Sequence, residues 1–70
     1  MELTNEEKRS IVMQHIKSVA FNIYNLQVSV ISEQGIIPNN TENIDSLNSQ
    51  ISVENSKMQA LEAELERLED

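Results

Sequence analysis

The stretch GIIPNNT, residues 35–41, decides the fold because it holds the only glycine and the only proline of the chain. Glycine ends a helix by adopting a left-handed conformation just after the last turn, and proline cannot continue a helix. Asn39, Asn40 and Thr41 can each cap a following helix by accepting a bond from a free backbone N–H. One helix therefore ends at this stretch and another begins there.

The segments on both sides of this stretch are long and contain neither glycine nor proline. Two long uninterrupted segments around a short loop are typical of a pair of antiparallel helices. The sequence predicts one all-α unit over residues 1–70. Its first helix covers about 5–34, the loop 35–41, and the second helix about 42–69.

Both ends of the first helix carry recognisable signals. Thr4 and Glu7 have the spacing of a capping box, in which each side chain binds the backbone N–H of the other residue. At the opposite end, Gly35 in a left-handed conformation would bring Ile36 onto Ile31, which is the apolar contact of a Schellman cap. We therefore expect the first helix to begin and end at well-defined residues.

Apolar residues recur in both segments at alternating intervals of three and four, the spacing of a coiled-coil seam. In the first segment they are Val12, Ile16, Val19, Ile23, Leu26 and Val30. In the second they are Ile44, Leu47, Ile51, Met58, Leu61, Leu65 and Leu68. Two such seams joined by a tight loop predict an antiparallel two-helix hairpin of the coiled-coil type.

The two seams match in register. In an antiparallel pair, facing residue numbers have a constant sum, and here all eight facing pairs add up to 77, as in Val12 with Leu65. Five of the eight layers are wholly apolar. At a few kcal/mol per layer this core barely offsets the entropy of ordering the chain. We therefore expect the hairpin to assemble into a larger helical bundle.

A second apolar stripe lies on the first helix, on the face away from the second helix. The corresponding positions of the second helix are mostly polar. A helix that is apolar on two faces is normally covered on both. The stripe, extended into the loop, is the predicted protein-interaction surface, and we call it the outer stripe: Phe21, Tyr24, Val28, Ile31, Ile36 and Ile37. Either a second copy of the chain or another protein could cover it.

Two polar residues near the seam need an explanation. Glu54 occupies a core position opposite Ile23. It either reaches out to solvent while Val53 turns inward, or it fixes the register by bonding to Tyr24, Asn22 or another copy. His15, the only histidine, is expected to be an exposed residue beside the seam, close to Glu64.

Composition and charge exclude several classes of function. The net charge of −7 disfavours binding to nucleic acid or to an anionic membrane. The absence of cysteine excludes disulfides and thiolate metal sites. We find no nucleophile with a base, no glycine-rich phosphate loop and no apolar signal region. The sequence predicts no enzyme activity, cofactor, metal or small-molecule substrate, and neither secretion nor a membrane location.

Four short stretches carry a resemblance to a known group: LTNEEK at 3–8, QH at 14–15, YNL at 24–26 and LEAE at 61–64. With these stretches the chain resembles short helical-hairpin proteins of marine tailed bacteriophages. The resemblance covers most of the chain and implies a small phage protein, located in the virion or in the host cytoplasm. It implies no catalytic or binding residue, because the members of this group have no assigned sites.

Three functions are consistent with these observations. The leading hypothesis is a structural subunit of the virion, such as a decoration, adaptor or fibre-associated protein, which oligomerises or docks through the outer face of helix 1. The second is an assembly chaperone that covers apolar or coiled-coil segments of a larger phage protein. The third is an acidic inhibitor of a host nucleic-acid-binding protein, acting through the acidic run at 62–70.

Overall fold

The computed structural model describes residues 2–69, which form two helices joined by a short loop. Helix α1 spans Asn5–Gln34 and helix α2 spans Thr41–Arg67. The two helices pack against each other in a rod of 56 × 19 × 14 Å. The predicted all-α hairpin is confirmed. Helix α2 starts one residue before the expected position and ends two residues before it, and residues 1 and 70 lie outside the described range.

The capping box at the start of α1 is present as predicted. The Glu7 backbone N–H donates to Thr4 Oγ1 over 3.1 Å, and the Thr4 backbone N–H donates to Glu7 Oε1 over 2.9 Å. The bond from the Thr4 backbone, with a smaller contribution from the Thr4 side chain, holds the pKa of Glu7 below its ordinary value. The capping box therefore favours the ionised form of Glu7.

The end of α1 differs from the predicted Schellman cap. Gly35 has φ −77° and ψ −9°, which is right-handed, and its N–H donates to the carbonyl oxygens of Ile31 and Ser32. The Ile36 N–H binds the carbonyl of Glu33 over 3.2 Å, whereas a Schellman cap would direct it to Ile31. The prediction of a left-handed Gly35 is wrong because the helix ends by tightening its last turn, and the chain reverses over the rest of the loop.

Two asparagines organise the loop before α2. Asn40 is the residue that caps α2, since its Oδ1 accepts the backbone N–H of Asn43 over 3.1 Å. In the amide orientation that satisfies both of its polar atoms, Asn39 donates from Nδ2 to the carbonyl oxygens of Gln34 and Ile36. One asparagine thus starts α2, while the other satisfies carbonyls left open at the end of α1.

The seam between the helices follows the predicted register. Every residue of the eight facing pairs is at least partly buried, whereas nearly all the other described residues are exposed. The last layer joins Arg9 to Leu68, where Arg9 Nη1 donates to the Leu68 carbonyl oxygen. Val19, at 9% exposure, is the most buried residue of α1. The core is therefore a single row of layers along one face of each helix.

Candidate protein-interaction surface

The outer stripe is uncovered in the hairpin. Its exposed fractions run from 41% at Val28 to 93% at Ile37. The four helical members lie on α1 at intervals of three, four and three residues, on the side away from α2. Ile36 and Ile37 continue the surface into the loop. An apolar surface of several hundred Å² is more than a monomer usually leaves exposed.

The outer face of α1 changes character along its length. In the half near the N-terminus, the equivalent positions hold Glu7, Ser10, Gln14 and Lys17. The apolar half starts at Phe21 and runs to the loop. It is also free of charge, because no charged residue occurs from position 18 to 32.

This charge-free run is a feature that the spacing of apolar residues did not reveal. The side chains that border the outer stripe are small or neutral, among them Ala20, Asn25 and Gln27. The run is visible in the sequence, and the structure adds that residues 20, 25 and 27 are all exposed in the hairpin. The neutral side chains are therefore available for contact with a partner. In a chain of net charge −7, such a neutral face is suited to contact with another helix.

Helix α2 presents a different surface. Its outward positions are mostly serine, glutamine and acidic residues, and Val53 is an isolated exposed apolar side chain. Near the C-terminal end, Arg67 Nη2 donates to Glu64 Oε2 over 2.9 Å. This bond lowers the pKa of Glu64 and raises that of Arg67. His15 is exposed, as expected. The carboxylate of Glu64, which the sequence places close to His15, accepts its hydrogen bonds from Arg67.

Glu54 is held within the seam by two polar neighbours. Asn22 Nδ2 donates to Glu54 Oε1 over 3.1 Å, and Lys57 Nζ lies 3.0 Å from Oε2, although without hydrogen-bond geometry. The side chain of Glu54 is only 12% exposed, and Val53 points to solvent. Of the two alternatives, the structure favours a bonded polar residue, with Asn22 as the partner and not Tyr24.

The rest of the described surface offers little for small ligands. A shallow groove of about 380 Å³ runs beside Glu54 and is lined by both apolar and polar side chains, including Leu26, Val53 and Ser49. In residues 2–69, no three histidine or carboxylate side chains are grouped to hold a metal ion. Neither α1 nor α2 has an apolar stretch long enough to cross a membrane.

No family model, curated protein or solved structure matches the chain. The resemblance to phage hairpin proteins therefore stays a prediction. Six of the ten large hydrophobic side chains that are exposed in the described part of the chain belong to the outer stripe. The helical part of the stripe lies beside neutral residues.

Proposed function

We propose that this chain is a non-enzymatic protein-interaction module that docks or oligomerises through the outer stripe of α1. The observation that carries the proposal is an exposed row of four apolar side chains on a charge-free face of α1, followed by two exposed isoleucines in the loop. Burying such a surface contributes about 25 cal/mol per Å², which amounts to several kcal/mol for a few hundred Å². This gain works against the translational and rotational entropy that is lost on association.

The thin core of the hairpin supports the same proposal. The seam is one layer wide, and among the described residues only Val19 and Leu68 are buried apolar side chains. A partner on the outer stripe would cover α1 on its second side and stabilise the folded chain by mass action. Binding would therefore add stability to a hairpin that is already folded.

A structural subunit is the most concrete form of this function. A rod of 56 × 19 × 14 Å with an exposed apolar surface on one side is suited to lie along a larger helical assembly. The sequence resemblance indicates a phage particle as that assembly, with the chain as a decoration, adaptor or fibre-associated subunit. A transient chaperone would use the same face but leave the finished particle.

The test is a charge placed on the outer stripe. Phe21→Glu is expected to abolish self-association or partner binding while the helical circular-dichroism signal is kept, since residue 21 makes no seam layer. The matched control is Gln14→Glu, which adds the same charge at the equivalent position two turns earlier. Sedimentation velocity and association with particles from the native source are the measurements.

The outcomes separate the hypotheses. Loss of association in Phe21→Glu but not in Gln14→Glu supports the outer stripe as the binding surface, and equal behaviour of the two variants contradicts it. A stoichiometric amount of the chain in purified particles indicates a permanent subunit. Its presence during assembly and absence from finished particles indicates a chaperone.

A further inference from the structure

We infer that the partner on the outer stripe is a second copy of this chain, with the two α1 helices antiparallel and related by a two-fold axis at residue 26. The inference rests on the proposed function and names the occupant of the same surface. Its basis is that the stripe remains fully complementary to itself when the two copies run in opposite directions.

The spacing of the stripe reads the same in both directions. Its helical residues are separated by three, four and three positions, so an antiparallel copy pairs all four of them. Phe21 then faces Ile31 of the second copy, and Tyr24 faces Val28, with facing numbers that add up to 52. Each aromatic ring meets an aliphatic side chain. Moving the copy by one heptad would instead place Lys17 opposite Val28, which breaks the apolar contact.

The residues that border the stripe suit the same arrangement. By the geometry of antiparallel helices, Asn25 and Gln27 lie at the two-fold axis, one on each side, where each meets its own counterpart. The next bordering pairs are Ser18 with Ser32 and Ala20 with Gln34. All of these side chains are uncharged, so no like charges face each other at the centre of the contact.

Charge also selects α1 as the contact between two copies. Residues 41–70 carry two basic and eight acidic side chains, whereas residues 1–34 carry three and four. The seam and the outer stripe lie about 150° apart around α1, given 3.5–3.6 residues per turn. Two copies joined through α1 therefore form a row of four helices with the acidic α2 helices at the two outer positions, as far apart as the assembly allows.

One charged residue gains a partner in this arrangement. The last turn of α1 contains no basic residue, although a cation there would interact favourably with the carbonyl end of the helix. The register places Lys17 opposite Gly35 of the second copy, at that end. Lys17 of each copy thus places a positive charge beside the carbonyl end of α1 in the other copy.

The area is sufficient for such a contact. The two aromatic and two aliphatic side chains that face each other in this register have exposed fractions of 41–69% and provide several hundred Å² per copy. Two facing copies would bury about 1,000 Å² in total, which is the lower range of specific interfaces. We therefore expect a reversible dimer in the micromolar range.

Cysteine cross-linking tests the arrangement directly, because the chain has no cysteine of its own. Asn25→Cys places a thiol beside the two-fold axis, and a short bismaleimide linker is expected to convert most of this variant to covalent dimer. Ser18→Cys lies on the same side of α1, but the thiols of two copies would be about 20 Å apart along the axis at 1.5 Å per residue. This variant is expected to stay uncross-linked by itself and to cross-link when mixed with Ser32→Cys.

Solution scattering provides a second readout on the unmodified chain. A two-fold axis at residue 26 lies nearer the loop than the open end of the hairpin, so the copies are displaced by about 20 Å along their axes. The dimer should then have a maximum dimension of about 75 Å, compared with about 56 Å for one hairpin. Circular dichroism checks that each cysteine variant is folded.

Several results would overturn the inference. Equal self-cross-linking of the Asn25→Cys and Ser18→Cys variants would indicate parallel helices. A monomer at 100 micromolar would exclude a second copy, yet the proposed function would survive if Phe21→Glu still abolished particle association and Gln14→Glu did not. A monomer whose particle association is insensitive to Phe21→Glu would overturn both.

Discussion

The inner and outer faces of α1 carry apolar residues at the same intervals but have different surroundings. On the inner face, Val19 is 9% exposed against Met58 of α2, whereas on the outer face Phe21, two residues later, is 69% exposed. Spacing decides which side chains share a face of a helix. Whether a face is covered depends on what the rest of the assembly places against it.

The outer face of α1 also carries fewer charged residues over its apolar stretch than the seam does. The seam includes Arg9, Glu33 and Glu54 among its eight layers, and these residues depend on specific partners or on partial exposure. The outer face has no charge from residue 18 to 32. The comparison shows that the face without a partner in the hairpin is at least as well suited to helix contact as the face that has one.

The largest expected effect comes from placing the same charge on the two faces. Val19→Glu buries a carboxylate without a partner and should destabilise the hairpin by about 3 kcal/mol or more, enough to remove most of the helical signal. Val28→Glu makes the same change on the outer stripe and should leave the hairpin folded but unable to associate. Circular dichroism and sedimentation measure both variants.

Equal loss of helical signal in the two valine variants would break the comparison, because the outer stripe would then be part of the folding core. A folded Val19→Glu variant would contradict the observed seam.

The next effect concerns the polar layer of the seam. Glu54→Leu should raise the stability by about 1 kcal/mol, because leucine adds apolar contact with Ile23 while Asn22 and Lys57 remain open to water. Thermal melts at one fixed protein concentration should show a higher Tm. Glu54→Gln is the control, since it can keep the bond to Asn22 and loses only the charge. A lower Tm for Glu54→Leu would mean that the bond to Asn22 contributes more to stability than the apolar layer would.

A smaller effect is expected at the end of α1. Gly35→Ala should stabilise the hairpin by about 0.4–1 kcal/mol through the reduced freedom of the unfolded chain. The right-handed φ of Gly35 suits alanine, and the added Cβ would lie 3.4 Å from the Ser32 carbonyl oxygen, an ordinary contact. Denaturant unfolding measures the change. A loss of stability would indicate that Gly35 needs the left-handed conformation in solution.

The smallest effect is the pH dependence of the capping box. The pKa of Glu7 is lowered in the folded chain, so the ionised carboxylate stabilises the fold above its unfolded pKa, and this contribution is lost as pH falls through the folded value. Glu7→Gln should therefore be less stable than the parent chain at pH 7, and the two should converge well below pH 4. Melting curves across that range provide the measurement, and a difference that persists at low pH would contradict the mechanism.

The sequence by itself determined the two helices, the place where they separate and the register between them. Breakers occur only in the loop, and pairing the two seams with a sum of 77 places the midpoint of the hairpin between Pro38 and Asn39, inside that loop, so Val12 and Leu65 could be paired without coordinates. The members of the outer stripe were also predictable, because helical periodicity alone assigns Phe21 and Val28 to the face opposite the seam.

Only the tertiary structure decided the details that depend on competition between nearby groups. Gly35 could adopt either hand, and the tightened last turn of α1 selected the right-handed one. Glu54 had several partners within reach, and the distance to Asn22 selected one of them. Such choices involve energies of about 1 kcal/mol between alternatives that share one sequence pattern, so they follow from the packed geometry and not from periodicity.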